Sequence, residues 1–126
     1  MGGDHAPEAI IDGAVRAVRA GFSVLLVGDE AVLKPKLPRG VVLPILHAPD
    51  VIGNDESPVA AVRRKPLASV SVALQAVADG RADAAVSCGS TGAAMASALF
   101  RLGRIPGVKR PGVSAVSYTH LRAHET

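Results

Sequence analysis

Three aromatic residues, Phe22, Phe100 and Tyr118, are all the aromatic surface that this chain can place in a core. Yet 48% of its residues are apolar, so the core must be assembled from Val, Ala, Leu and Ile. Small and branched side chains suit helices laid closely on a sheet. The composition points to an α/β layer structure and away from an aromatic-rich β-sandwich. At 126 residues there is room for one modest domain and not for two ordinary ones.

The pattern along the chain agrees. Pro7 suits the first position of a helix, Ile10, Ile11, Ala14, Val15 and Val18 then form one apolar stripe, and Gly21 falls where a C-terminal cap belongs. Residues 22–27 form an apolar run, interrupted only by Ser23, between glycines, as a fully buried strand does. Asp29 can cap a short helix to about Lys34, which Pro35 and Pro38 end. Residues 41–46 read as a second strand with Pro44 awkwardly inside it, and residues 47–54 as a loop. Ser57 and Pro58 open a helix that Pro66 closes; another is expected over residues 68–78, stopped by Asp79 and Gly80. A third strand is expected at residues 82–87, followed by a last helix to about Leu102. Such alternation predicts a mostly parallel sheet with helices on both faces.

The net charge of +3 is mild, few aromatics are available for base stacking, and no zinc-finger spacing occurs, so nucleic acid is excluded as a partner. No Gly-x-Gly-x-x-Gly and no Gly-x-x-x-x-Gly-Lys is present, which removes the usual support for dinucleotide and nucleoside-triphosphate sites. One cysteine allows no internal disulfide and fits a reducing cytoplasm. The opening Gly-Gly-Asp-His lacks the charged and then apolar run of a signal peptide. The charge-free stretch at residues 84–100 holds Ser87, Gly89, Ser90, Thr91 and Gly92 in its middle, so it reads as strand, turn and helix, not as a membrane span.

Two glycine turns carry the functional signal. Met1-Gly2-Gly3-Asp4-His5-Ala6-Pro7 and Ser87-Cys88-Gly89-Ser90-Thr91-Gly92-Ala93 each lead into a helical segment. Backbone N–H groups gathered at the positive end of a helix make a site for phosphate or another oxyanion. Gly2, Gly3, Gly89 and Gly92 permit close backbone approach, while Ser90 and Thr91 offer hydroxyls; alternatively the glycines only let strand and helix pack closely. His5 can shuttle a proton or donate to phosphate, or can be an ordinary turn residue. Asp4 can orient His5 or bond local amides of the turn, and the second role is preferred. Cys88 as a nucleophile is disfavoured, because no histidine lies in a motif near it. Arg63, Arg64 and Lys65 form the densest basic cluster, and Arg101, Arg104, Lys109 and Arg110 a looser one; each is either a steering surface for an acidic partner or a solvated face. His47 reads as a loop residue.

Together these motifs resemble the bacterial PlsX family, the phosphate acyltransferases of phospholipid synthesis. The first turn, Val51-Ile52, Ser57-Pro58-Val59, Ala61-Val62-Arg63-Arg64-Lys65, the second turn, and the run from Gly103 to Pro111 follow in the family's order. Two places depart from the usual pattern: Cys88-Gly89-Ser90-Thr91-Gly92 stands where Ala-Gly-Asn-Thr-Gly is common, and Ala68-Ser69-Val70 where Ser-Ser-Met is. The resemblance implies a Rossmann-like three-layer α/β/α fold. It implies transfer of a long-chain acyl group from acyl carrier protein to inorganic phosphate, with Asp4 and His5 catalytic and Gly2, Gly3, Gly89, Ser90, Thr91 and Gly92 holding phosphate or substrate. Arg63, Arg64 and Lys65 would contact carrier protein or phosphate, with no cofactor and no metal. A cytoplasmic homodimer with peripheral membrane contact is implied as well. The other readings are a phosphate acetyl- or acyltransferase that uses a coenzyme A thioester, and a non-catalytic anion-binding module.

The same resemblance covers residues 1–115 and makes them an incomplete domain. The family's short first strand, ending in Val-Asp-Ala, would precede Met1, and a large C-terminal portion would follow, so the chain alone is expected to be inactive. Residues 116–126 resemble an adapter sequence translated in frame and are expected to be a non-native tail.

Overall fold

The computed structural model describes residues 1–109 and 111–114. Among them are five α-helices and two strands: α1 (Glu8–Arg19), β1 (Leu26–Gly28), α2 (Glu30–Leu33), β2 (Ile45–His47), α3 (Pro58–Arg64), α4 (Ser69–Ala78) and α5 (Thr91–Arg101). A 3-10 turn at Lys34–Lys36 extends α2. The strands pair in parallel, with Leu26 opposite Ile45 and Gly28 opposite His47. The chain is therefore α/β, as its composition predicts. The expected tail at residues 116–126 lies outside the described residues.

Helix ends follow local chemistry closely. Gly21, at φ +99°, ends α1: its N–H bonds to the Val18 carbonyl at 3.0 Å and the Phe22 N–H to the Ala17 carbonyl at 3.1 Å. This double bond pattern needs a left-handed residue, which glycine adopts without strain. Asp29 caps α2 by accepting from the Ala31 N–H at 3.0 Å. Pro7 falls one residue ahead of α1, in the capping position.

The strands are shorter than the apolar runs suggest. Phe22 is 69% exposed, not buried, because its N–H still closes α1, and pairing starts only at Leu26. Pro44 has no N–H to give, so β2 begins after it, while its carbonyl accepts from the Leu26 N–H at 3.0 Å. The third strand expected at residues 82–87 does not form among the described residues. The backbone donors of Arg81 and Ala82 are spent on the Ala76 carbonyl at the end of α4, and the segment beyond is exposed, with Val86 at 89%.

Two apolar clusters divide the interior. One joins Ile11, Ala14 and Val15 of α1 to Leu26, Leu33 and Leu43, with Met1 and Val18 against it. The i, i+3, i+4 spacing of the α1 residues puts all three on one helical face. The other gathers Ile52, Ala61, Val62, Ala68, Ala93 and Ala96, where α5 lies across α3 and α4. Alanine-rich contacts let these helices approach closely. Ser71 and Ser97, both fully buried, share a hydrogen bond of 3.1 Å between α4 and α5. No helix among the described residues is long and apolar enough to cross a membrane.

The serine pair makes a direct test. Ser71→Ala or Ser97→Ala leaves the other hydroxyl buried and unpaired, and each should cost about 1–3 kcal/mol in urea unfolding. The double substitution should cost clearly less than the sum of the two, because neither hydroxyl then remains to be satisfied.

Candidate functional site at the junction of two glycine turns

The first turn is held by its own backbone and by the end of the sheet. The Gly3 carbonyl accepts from the Ala6 N–H at 3.1 Å, and the His5 carbonyl starts α1 by accepting from Ala9 at 3.1 Å. Met1 lies over the last residue of β1, where a Cβ on Gly28 would fall 2.7 Å from Met1 Cγ. The turn is thus seated at the carboxyl end of a parallel strand, the usual ligand-binding end of an open α/β sheet. Asp4 and His5 are exposed beside it.

The second turn meets the first backbone to backbone. A Cβ on Gly89 would lie 3.3 Å from the Cα, carbonyl carbon and oxygen of Gly2, and one on Gly3 would lie 3.2 Å from the Cys88 oxygen. A side chain on Gly3 or Gly89 would press on this backbone. From there the chain enters α5: the Ser90 hydroxyl accepts from the Ala93 N–H at 3.2 Å, and its proton stays free to donate. Thr91 is exposed at the first helical position. Gly92 serves packing as well, since a Cβ there would fall 2.7 Å from Pro58 Cγ at the start of α3.

So the structure brings Gly2 against Gly89 and Gly3 against Cys88, with Ser90 capping α5 and Thr91 and Gly92 in its first turn. Arg63, Arg64 and Lys65 are placed differently. The Arg63 guanidinium stands 5.4 Å from the centroid of the Phe100 ring. Arg64 and Lys65 turn to Glu56, a residue that the sequence reading passed over. The Glu56 carboxylate accepts from the Gly53 N–H at 2.7 Å, from Lys65 Nζ at 2.9 Å and from Arg64 at 3.1 Å. Lys65 Nζ also donates to the Val51 carbonyl at 2.8 Å. An acidic residue ahead of a helix that ends in basic residues was the available signal.

These donors hold the Glu56 carboxyl below its ordinary value, the Gly53 N–H contributing most and Lys65 next. A lowered carboxyl pKa stabilises the fold at pH values above the unfolded pKa, and that contribution is lost as pH falls through the folded pKa. Cys88 is free and exposed. Among the described residues no three His, Cys, Asp or Glu side chains gather as a metal ion would require.

Comparison with known proteins places these motifs in context. The family model described as fatty acid synthesis protein matches residues 1–121. A phosphate acyltransferase of Desulforudis audaxviator is 56% identical over 117 residues, covering 92% of this chain and 35% of that protein. One from Trichodesmium erythraeum is 50% identical over 125 residues, covering 96% of this chain and 37% of that protein. One from Thermus thermophilus is 48% identical over 123 residues, with 97% and 37% covered. The chain spans about a third of the length of these relatives, at 35% and 37% of each.

Two measurements probe the junction. Gly89→Ala should lower stability by about 1–3 kcal/mol, because its Cβ presses on backbone that cannot rotate away. Gly13→Ala, in the middle of α1 with nothing within 4 Å of a Cβ, should instead be neutral or stabilising. For Glu56, the stability advantage of the parent over Glu56→Gln should be full at neutral pH and shrink as pH is lowered below about 5. Urea midpoints across a pH series read this directly.

Proposed function

Since the chain belongs to the fatty acid synthesis protein family, we propose that the full-length protein transfers a long-chain acyl group from acyl carrier protein to inorganic phosphate. The observation that carries this reading is the backbone contact of Gly2 and Gly3 with Cys88 and Gly89 at the carboxyl end of β1. Phosphate is the nucleophile, so the protein must hold it against the thioester carbonyl and stabilise the oxyanion that develops. Backbone N–H groups of the two turns, with the Ser90 and Thr91 hydroxyls, are neutral donors suited to both tasks.

The reaction balances without a further reactant. A phosphate oxygen bonds to the acyl carbon, the carbon–sulfur bond breaks, and the phosphate proton passes to the departing thiolate. His5 carries that proton, and Asp4 fixes the turn or orients His5. Arg63 and Arg64, both largely exposed, present positive charge to an acidic carrier protein, while Lys65 completes the basic cluster. The reading extends to a cytoplasmic homodimer with peripheral membrane contact. Residues 1–115 then form part of a larger three-layer α/β/α domain, and the 126-residue chain alone is inactive. The exposed segment around Val86, which has strand composition but no paired neighbour among the described residues, supports this.

The full-length protein, given acyl carrier protein thioester and phosphate, should form acyl phosphate, trapped as the hydroxamate. Coenzyme A thioesters should serve poorly. Preference for coenzyme A would establish the acyl-CoA reading, and phosphate binding without turnover the anion-binding module. His5→Ala should lower turnover by about 100-fold or more; unchanged turnover removes His5 from the mechanism.

A further inference from the structure

The loop at residues 50–57 touches both glycine turns, and its shape is fixed from outside the site. At one end, a Cβ on Gly2 would lie 3.5 Å from the Ile52 carbonyl oxygen and 3.6 Å from Val51 Cγ1. At the other, Pro58 presses on Gly92 at the start of α5. The loop therefore stands as a spacer between the segment that carries Gly2 and the helix that carries Gly92. Its outer edge is anchored as well: Asp50 forms a parallel bridge with Ala68, donating to the Leu67 carbonyl at 3.3 Å and accepting from the Ser69 N–H at 3.0 Å.

What sets the length of this spacer is a charged clamp. Glu56 draws the Gly53 N–H, Lys65 and Arg64 to one carboxylate, and Lys65 reaches past it to the Val51 carbonyl. Lys65 thus ties the C-terminal end of α3 to the residue that backs Gly2. The clamp is partly sheltered, with the Lys65 side chain 30% and the Glu56 side chain 22% exposed. Its three donors together hold the carboxyl below its ordinary value, the Gly53 N–H contributing most. Within the loop the Glu56 N–H also bonds to the Gly53 carbonyl at 3.2 Å, so Gly53 and Glu56 are tied by backbone as well as by the carboxylate.

We propose that Glu56 and Lys65 are positioning residues which, through Val51, Ile52 and Pro58, fix the separation of the two glycine turns. The inference rests on reading those turns as the phosphate side of the site, and it adds residues that touch neither turn with their own charged groups. Loosening the clamp lets Val51 and Ile52 retreat from Gly2 and lets α3 shift under Gly92. Donors aimed at one small anion from two directions lose their common focus under a displacement of that kind. Phosphate suffers, because it is held between the turns; the acyl donor, held largely elsewhere, does not.

The test uses the full-length protein labelled with nitrogen-15 glycine. Glu56→Gln and Lys65→Met should shift the amide resonances of Gly2 and Gly92 while far-UV circular dichroism stays unchanged. Both should raise the phosphate KM about tenfold or more, and Glu56→Gln, which lies outside the basic cluster, should leave the KM for the acyl donor unaltered. Lys65→Arg, which keeps the charge and can reach both acceptors, should restore most of the loss. Unshifted glycine resonances in folded variants would overturn the proposal. So would shifted resonances with an unchanged phosphate KM, because the clamp would then be structural only. An equal rise in both KM values for Glu56→Gln would also count against it. A parent protein that forms no acyl phosphate would sink the functional reading instead; the clamp is then judged on the glycine resonances and on the phosphate dissociation constant measured by calorimetry.

Discussion

The contact between Gly2 and Gly89 is the constraint on which the rest of this structure depends. Neither residue has a side chain, so two peptide segments from distant parts of the chain lie within van der Waals reach. Met1 fastens one of them over Gly28 at the end of β1 and belongs to the cluster around α1. The other leads into α5, whose Ala93 and Ala96 belong to the second cluster. The glycine junction is therefore also the seam between two apolar clusters. A methyl group on Gly89 would press on the Gly2 backbone and strain this seam.

Charge is used on this face mainly to tie backbone down. Lys65 holds the Val51 carbonyl, and Arg101 donates to the Pro66 carbonyl at 3.2 Å and to Gln75 Oε1 at 2.9 Å. In both cases a long cationic side chain on a helix reaches a carbonyl that no helix or strand can satisfy. Such bonds answer the requirement that partly buried backbone groups find partners. A cluster read from sequence as one basic patch thus divides by role. Arg63 stays outside over Phe100, Arg64 is largely exposed but paired, and Lys65 works within the loop.

The helices were legible in the sequence because their signals are local. Gly21, Asp29, Ser57 with Pro58, and Gly80 mark ends that the structure places within a residue or so, since caps and left-handed turns depend on a few neighbours. Strands depend on a partner. The apolar run at residues 22–27 carries no record that Phe22 still belongs to the closing of α1, nor that pairing waits for Pro44 to pass. Residues 82–87 have strand composition but no paired neighbour among the described residues, and composition cannot supply one. The glycine turns stood out in sequence, yet their mutual contact did not, because it joins residues about 87 positions apart along the chain (Gly2 to Gly89). Glu56 escaped notice for a related reason. Its side-chain partners at positions 64 and 65 lie at the far end of α3, and only the folded path of residues 50–57 brings a carboxylate back to them.

The proposed phosphate site, built on a seam, would behave differently from one built inside a single core. Each turn is anchored in its own cluster, so the distance between the two sets of N–H donors is the distance between the clusters. A ligand that touches both turns binds only the arrangement in which the clusters are in register. Its binding free energy is therefore added to their docking, by the same linkage that raises the stability of any protein whose native form alone binds. For a small, highly charged oxyanion the dependence on spacing is steep, because it must satisfy both sets of donors within one ionic diameter. Larger ligands tolerate slack by bending. On the phosphate-site reading proposed above, the arrangement would favour a compact anion over an extended one through backbone spacing.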